Sequence, residues 1–104
     1  MNLVTNEKTF SANVAEPDMF ATPDNGSGSG IMTVQVTAHN ATAGFTIWGR
    51  LSANHAWAPI KEVATAADNV LLAQVAYCPQ VAITISDYAE GGAGDRIVAT
   101  CFSY

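Results

Sequence analysis

The side chains that could do chemistry in this chain are few and widely spaced. The two histidines, His39 and His55, each fall in a predicted turn. Neither has a second histidine four residues away or a cysteine pair at the spacing of zinc ligands, so both are interpreted as solvated turn residues. No serine stands in the GxSxG context of a nucleophile. The histidines and serines therefore predict neither a catalytic set nor a zinc site.

Three carboxylates crowd one predicted turn near the end of the chain, at Asp87, Glu90 and Asp95. Such a group can bind calcium weakly, but a solvated acidic turn is the commoner arrangement. The glycine-rich segment 26–30 lacks the lysine that follows a phosphate-binding loop. We therefore expect no catalytic residue, no metal, no cofactor and no enzymatic activity.

Two cysteines, Cys78 and Cys101, raise the question of a disulfide. If segment 90–94 is the hairpin turn between the last two strands, Cys101 lies opposite Thr84, and Cys78 lies beyond the reach of a disulfide. Two reduced thiols that pack as small apolar side chains are expected, with Cys101 buried.

The composition excludes several classes of partner. The 104 residues carry a formal net charge of -5, with only four Lys or Arg, so no basic surface is present for nucleic acid or anionic membranes. No apolar run approaches the length of a membrane span, and the first residues lack the basic and apolar regions of a signal peptide. We expect a soluble protein made in a cytoplasm.

Alternating apolar and polar residues predict a sheet protein from residue 31 onward. The predicted strands are 31–38, 45–51, 56–63, 69–77, 80–88 and 96–104. Pro59 predicts that its strand lies at an edge or is bulged. The pattern indicates one all-β domain at 31–104, an antiparallel β-sandwich or a jelly-roll-like barrel. The side chains expected to face its core are Val34, Val36, Ile47, Val81, Ile83 and Ile85.

Residues 1–30 differ from the rest of the chain in their pattern of apolar residues and glycines. Segment 21–30 contains Pro23 and three glycines and predicts a flexible connection. The apolar residues before it lack a sustained period. One interpretation is an edge strand near residues 2–5 followed by a loop. The other is an extended N-terminal arm that lies along a neighbouring molecule.

The orientation of Trp48 is the most informative prediction about function. In segment 45–51, Phe45, Ile47, Gly49 and Leu51 alternate with Thr46, Trp48 and Arg50, so Trp48 should point out of the fold. An exposed indole is a large apolar surface. Either the N-terminal arm folds back over Trp48, or the indole contacts another subunit.

The order of residues around Trp48 resembles a strand–turn–strand unit of small β-sandwich modules in tailed-phage virions. Those modules include head decoration (cement) proteins and domains attached to fibres. The resemblance covers about residues 31–104, and the matching positions are Phe45, Ile47, Gly49, Leu51, Trp57 and Ile60. The chain departs from that pattern by having SANHA in the turn, where Asp-Gly is frequent, and Trp48 at a position that is usually polar.

The resemblance implies a capsid decoration protein that binds the outside of an assembled head and stabilises it by bridging coat subunits. Its partner would be the major capsid protein, with self-association as a trimer or dimer, and its location would be the virion surface. A host-surface glycan-binding module of the virion is the alternative. The interface candidates are Phe10, Met19, Phe20, Trp48, Trp57, Tyr88 and Tyr104.

Overall fold

A computed structural model of the chain describes residues 7–23, 30–67, 70–90, 92 and 96–103. These residues form strands and connections and contain no helix, so the predicted all-β class is confirmed. The strands are β1 Glu7–Phe10, β2 Val14–Ala21, β3 Ile31–His39, β4 Ala41–Arg50, β5 Ala58–Ala67, β6 Val70–Ala76, β7 Gln80–Glu90 and β8 Arg96–Ser103.

The strands form two antiparallel four-stranded sheets that pack face to face. The first sheet has the order β1-β8-β3-β6 and the second has the order β2-β7-β4-β5. Of the described strand pairs, β4 with β5 is the one formed by neighbours in sequence, and the others join strands that are distant along the chain. This order of eight strands is that of a jelly roll, which confirms the sandwich predicted from the sequence.

The core lies between the two sheets and includes all six side chains that were expected to face it. Val34 and Val36 on β3 face Ile47, Val81, Ile83 and Ile85 of the second sheet, and all are buried. Strand β8 adds Ile97, Ala99 and Cys101, each fully buried. Burying an aliphatic side chain of this size stabilises the fold by roughly 1.5–3 kcal/mol.

Strand β4 shows why alternation was a good predictor here. Phe45, Ile47 and Gly49 are buried, while Trp48 and Arg50 are half-buried on the outer side. Leu51 was expected on the inner face and is instead 66% exposed. The reason is that β4 ends at Arg50 and Leu51 begins the following turn.

The N-terminal arm is a wrong interpretation for the described residues before position 24. Strand β1 pairs with β8 from Glu7 opposite Thr100 to Phe10 opposite Ile97, and β2 pairs with β7. The register of β2 shifts twice, which breaks the period that alternation would have shown. The alternative strand near residues 2–5 and most of the predicted flexible connection lie outside the described residues.

The expected hairpin between the last two strands is also wrong. Strand β7 belongs to the second sheet and β8 to the first, so Cys101 lies opposite Val34 on β3 rather than opposite Thr84. Both cysteines are nevertheless free and Cys101 is buried, as expected. The sequence could not show which strands would cross between sheets, because turn residues look alike in hairpins and in crossovers.

Candidate functional site

An apolar row crosses the outer face of the second sheet. In the register of its four strands, Met19 on β2 lies beside Ala82 on β7, Ala82 beside Trp48 on β4, and Trp48 beside Pro59 on β5. Met19 is 43% exposed. Ala82 is fully buried although it lies on the outer side of the sheet, where its neighbours Val81 and Ile83 face inward. The row is therefore a continuous apolar strip and not a set of isolated side chains.

Trp48 is held in place on this face by one side-chain hydrogen bond. Its indole Nε1–H donates to Oγ1 of Thr84 on the adjacent strand β7 at 2.9 Å. The polar atom of the indole is thus satisfied inside the protein. What the half-buried ring can offer to a partner is apolar surface with a fixed orientation.

A fixed cation borders the apolar row. The guanidinium of Arg50 lies over the ring of Trp57, with 4.0 Å from its central carbon to the ring centroid. Its Nε–H donates to Oε1 of Gln80 at 2.7 Å, so the side chain is held from two sides. Stacking of this kind contributes on the order of 0.5–2 kcal/mol. We call the surface made by Met19, Trp48, Arg50, Trp57 and Pro59 the tryptophan face.

The turn between β4 and β5 lies next to the tryptophan face and is held by hydrogen bonds within the turn. The backbone N–H of His55 donates to the carbonyl of Ser52 at 3.1 Å, and a 2.9 Å hydrogen bond joins Ser52 Oγ and His55 Nδ1. His55 thus fixes a turn, and His39 is exposed at the end of β3. At the β2 end of the face, a shallow depression of about 190 Å³ is lined by Met19, Phe20, Ala21 and Thr22.

The structure brings three of the seven interface candidates together and separates the others. Met19, Trp48 and Trp57 share the tryptophan face. Phe10 and Phe20 are 6% and 5% exposed and belong to the core, so expecting them against neighbouring chains was wrong. Both are inward positions of strands β1 and β2, which the sequence had not shown to be strands.

Tyr88, the one candidate tyrosine within the described residues, lies away from the tryptophan face. Tyr88 is half-buried against the core, and its backbone N–H donates to Oδ1 of Asn13 at 2.8 Å. Tyr104 lies outside the described residues. Tyr88 therefore does not contribute to the tryptophan face.

The N-terminal segment reaches the tryptophan face in a way that the sequence did not suggest. It does so as strand β2, which is separated from β4 by β7 and contributes Met19 at one end of the apolar row. Arg50 and Gln80 were missed as site residues, although alternation already placed Arg50 on the same side of β4 as Trp48. The pairing of β4 with β7 could not be read from the sequence.

The cysteines are poor candidates for nucleophiles. Cys101 Sγ lies 3.7 Å from Sδ of Met32 inside the core. Burial, and secondarily the nearby thiol of Cys78, raise the pKa of Cys101 to about 12, and burial also raises the pKa of Cys78. Both thiols are therefore protonated at neutral pH, whereas nucleophilic cysteines have a lowered pKa.

Of the three carboxylates in the acidic turn, Asp87 is the one whose side chain the structure describes. Asp87 has a left-handed backbone with φ of 54°, the side chain of Glu90 is not described, and Asp95 lies outside the described residues. No group of three or more His, Cys, Asp or Glu side chains that could hold a metal ion occurs in the part of the chain that the structure describes. Nor does that part contain a helix long and apolar enough to cross a membrane.

No protein-family model matches the sequence, and no curated protein or solved structure matches the chain. A functional interpretation therefore depends on the geometry of the tryptophan face and on the jelly-roll arrangement of the strands.

Proposed function

We propose that the chain is a decoration protein of a tailed-phage capsid, which binds the outside of the assembled head through its tryptophan face. The observation that carries the proposal is the apolar row from Met19 to Pro59, which crosses all four strands of the second sheet. Its partner is the major capsid protein, and its role is to stabilise the head by bridging coat subunits.

The composition of the tryptophan face fits a protein partner. Trp and Arg are the residue types that most often dominate the binding energy of protein interfaces. Trp48 and Arg50 are both held by intramolecular bonds, so little side-chain entropy is lost when a partner covers them. The row is also open and extended across the sheet, whereas small-molecule sites are concave.

On a regular shell, the affinity of each single contact between the decoration protein and the coat can be low. Many copies bound to one lattice stabilise it together even when a single contact is modest, and symmetric positions on a capsid favour self-association as a trimer or dimer. Jelly rolls are an architecture of viral capsid domains, which agrees with this role at the level of fold alone.

Binding of a host-surface glycan is the second candidate, and the environment of Trp57 favours it. The guanidinium of Arg50 lies over the ring of Trp57, and Arg50 in turn bonds to the side-chain amide of Gln80. Jelly rolls are also an architecture of lectins. However, Arg50 covers one face of the Trp57 ring and occupies Oε1 of Gln80. Because these groups are already engaged with each other, we favour the capsid partner.

Co-sedimentation of the purified protein with undecorated heads tests the proposal. Trp48→Ala should weaken attachment by about 2 kcal/mol or more, as for an interface hot spot, while the monomer stays folded. Leu51→Ala is the matched control, because Leu51 is an exposed apolar residue outside the tryptophan face. This variant should decorate heads as the unaltered protein does.

Two outcomes would contradict the proposal. Equal losses in Trp48→Ala and Leu51→Ala would show that the tryptophan face is not the contact. A protein that ignores heads but binds host polysaccharide through Trp57 would establish the glycan-binding function instead.

A further inference from the structure

The two sheets have four edge strands among the described residues, and three of them carry features that oppose pairing with another chain. Strand β1 has only four residues, including Glu7 and Lys8, and Lys8 forms an ion pair with Asp18 of β2. Strand β2 contains Pro17, and β5 contains Pro59 and Lys61. Both β2 and β5 also have two register shifts. Charges, proline and bulges are the usual protection of an exposed sheet edge.

The fourth edge strand, β6, has none of this protection. Its sequence VLLAQVA contains no charge and no proline, and it pairs with β3 in unbroken register from Val70 to Ala76. Leu72 on its outer side is 67% exposed. A regular, uncharged edge with an exposed apolar residue is a template for adding a further strand.

The direction of the backbone groups shows which residues would form the new ladder. The N–H of Tyr77 donates to the carbonyl of Gly30 at 2.9 Å, so Tyr77 bonds toward β3. Residues along an antiparallel strand bond alternately to one side and the other. Leu72, Gln74 and Ala76 therefore direct their N–H and C=O groups toward the open side of β6.

We propose that β6 is a homodimer edge, where two copies of this chain join their first sheets into one continuous eight-stranded sheet. The chain carries a net charge of -5, so contact between two copies is least opposed where the contacting surfaces themselves carry no charge. A two-fold axis places equivalent strands side by side, so a charged residue near the axis would lie close to its own copy. Strand β6 avoids both the repulsion between contacting surfaces and the repulsion at the axis, because its sequence is uncharged.

The register of this pair follows from full overlap of the two strands. Residues 70–76 overlap completely when Ala73 lies opposite Ala73 of the second copy, and Leu72 then lies opposite Gln74. Side chains on the outer face of one copy then lie beside side chains on the outer face of the other. The tryptophan face is on the second sheet and stays open, so this inference does not depend on the proposed capsid contact.

A cysteine at the two-fold axis tests the register. Ala73 would form a non-hydrogen-bonded pair with its own mate, with Cα atoms about 4.5 Å apart, which lies within the range of a disulfide. Ala73→Cys should give a covalent dimer on mild oxidation, and mass spectrometry should identify two copies of the peptide around position 73 joined by a disulfide. Ala76→Cys is the matched control, because its two copies would lie about 20 Å apart. That variant should stay uncrosslinked.

A charge on the edge tests the association itself by sedimentation equilibrium. The unaltered protein should sediment with twice its mass of 10.9 kDa. Leu72→Lys should raise the dimer dissociation constant at least about tenfold, since it places two like charges near each other across the axis. Gln35→Lys should leave it unchanged, because exposed Gln35 lies opposite Leu72 on β3, one strand inside the edge.

A protein that stays monomeric at all concentrations would overturn the proposal. The proposal would also be wrong if Gln35→Lys weakened the dimer as much as Leu72→Lys does, because the copies would then pack through their sheet faces. Crosslinking of Ala76→Cys to the same extent as Ala73→Cys would likewise contradict it. Because none of these measurements involves heads or glycans, their failure is distinct from a failure of the proposed function.

Discussion

Single buried side chains have the clearest physical consequences in this fold, and Cys101 has one that depends on pH. Its pKa of about 12 lies above the ordinary 9.0 because the fold buries the thiol. Above pH 9 the unfolded chain therefore releases this proton while the folded chain keeps it. The free energy of unfolding should fall by about 1.4 kcal/mol per pH unit between pH 9 and 12 from this group.

Urea unfolding of the unaltered protein and of Cys101→Ala across this pH range measures the effect. The variant is less stable at neutral pH because it leaves a small cavity, but its stability should fall less steeply above pH 9. All other side chains are the same in both proteins, so their contributions cancel in the difference. Parallel curves for the two proteins would show that the thiol of Cys101 is not protected by the fold.

Residues in regular strands were predictable one by one, and residues in irregular strands were not. Alternation alone placed Ile47 inward and Trp48 outward, because a strand turns successive side chains to opposite faces. It failed for Phe10 and Phe20, whose strands are short or bulged. It could not place Met19 and Trp48 in one row, since that arrangement depends on β7 lying between their strands.

At the scale of the element, β2 is one of the two described strands that the sequence did not predict, and its buried and exposed side chains provide a test. Phe20 is buried and its neighbour Met19 is 43% exposed. Phe20→Ala should destabilise the protein by about 3–5 kcal/mol through loss of burial and a cavity. Met19→Ala should cost less than about 1 kcal/mol, as for most surface changes.

The midpoint of urea unfolding at an unchanged m-value measures both variants of β2. Met19→Ala is the control for any general effect of shortening a side chain in this strand. Similar losses in the two variants would mean that β2 does not pair with β7 in the observed register.

Elements were predicted better than their connections. The segments around β3, β4 and β7 were found because each has a long run of period two, and Pro59 correctly indicated an edge strand. The link between β7 and β8 was misjudged as a hairpin. Local turn residues carry little information about whether the next strand joins the same sheet or the facing one.

For the whole molecule, the jelly-roll order separates two surfaces with different uses. The tryptophan face lies on the outer side of the second sheet, and the unprotected edge β6 belongs to the first sheet. A copy joined to its partner through β6 therefore keeps its tryptophan face available. Two modest contacts on one dimer would bind a regular shell more tightly than either alone.

The same topology predicts slow and cooperative folding. Apart from β4 with β5, the described strand pairs join distant parts of the chain, so loop-closure entropy is lost before most contacts form. Sandwich folds of this kind refold in milliseconds to seconds. Both tryptophans lie at the one local pair, since Trp48 is in β4 and Trp57 precedes β5.

Stopped-flow refolding followed by tryptophan fluorescence and by far-UV circular dichroism tests this expectation. An isolated pair of strands is marginally stable in water, so the β4–β5 pair should form only together with the two sheets. We therefore expect one rate constant from both probes. Fluorescence that recovers well before the dichroism signal would contradict this, because it would show that the β4–β5 pair folds ahead of the sandwich.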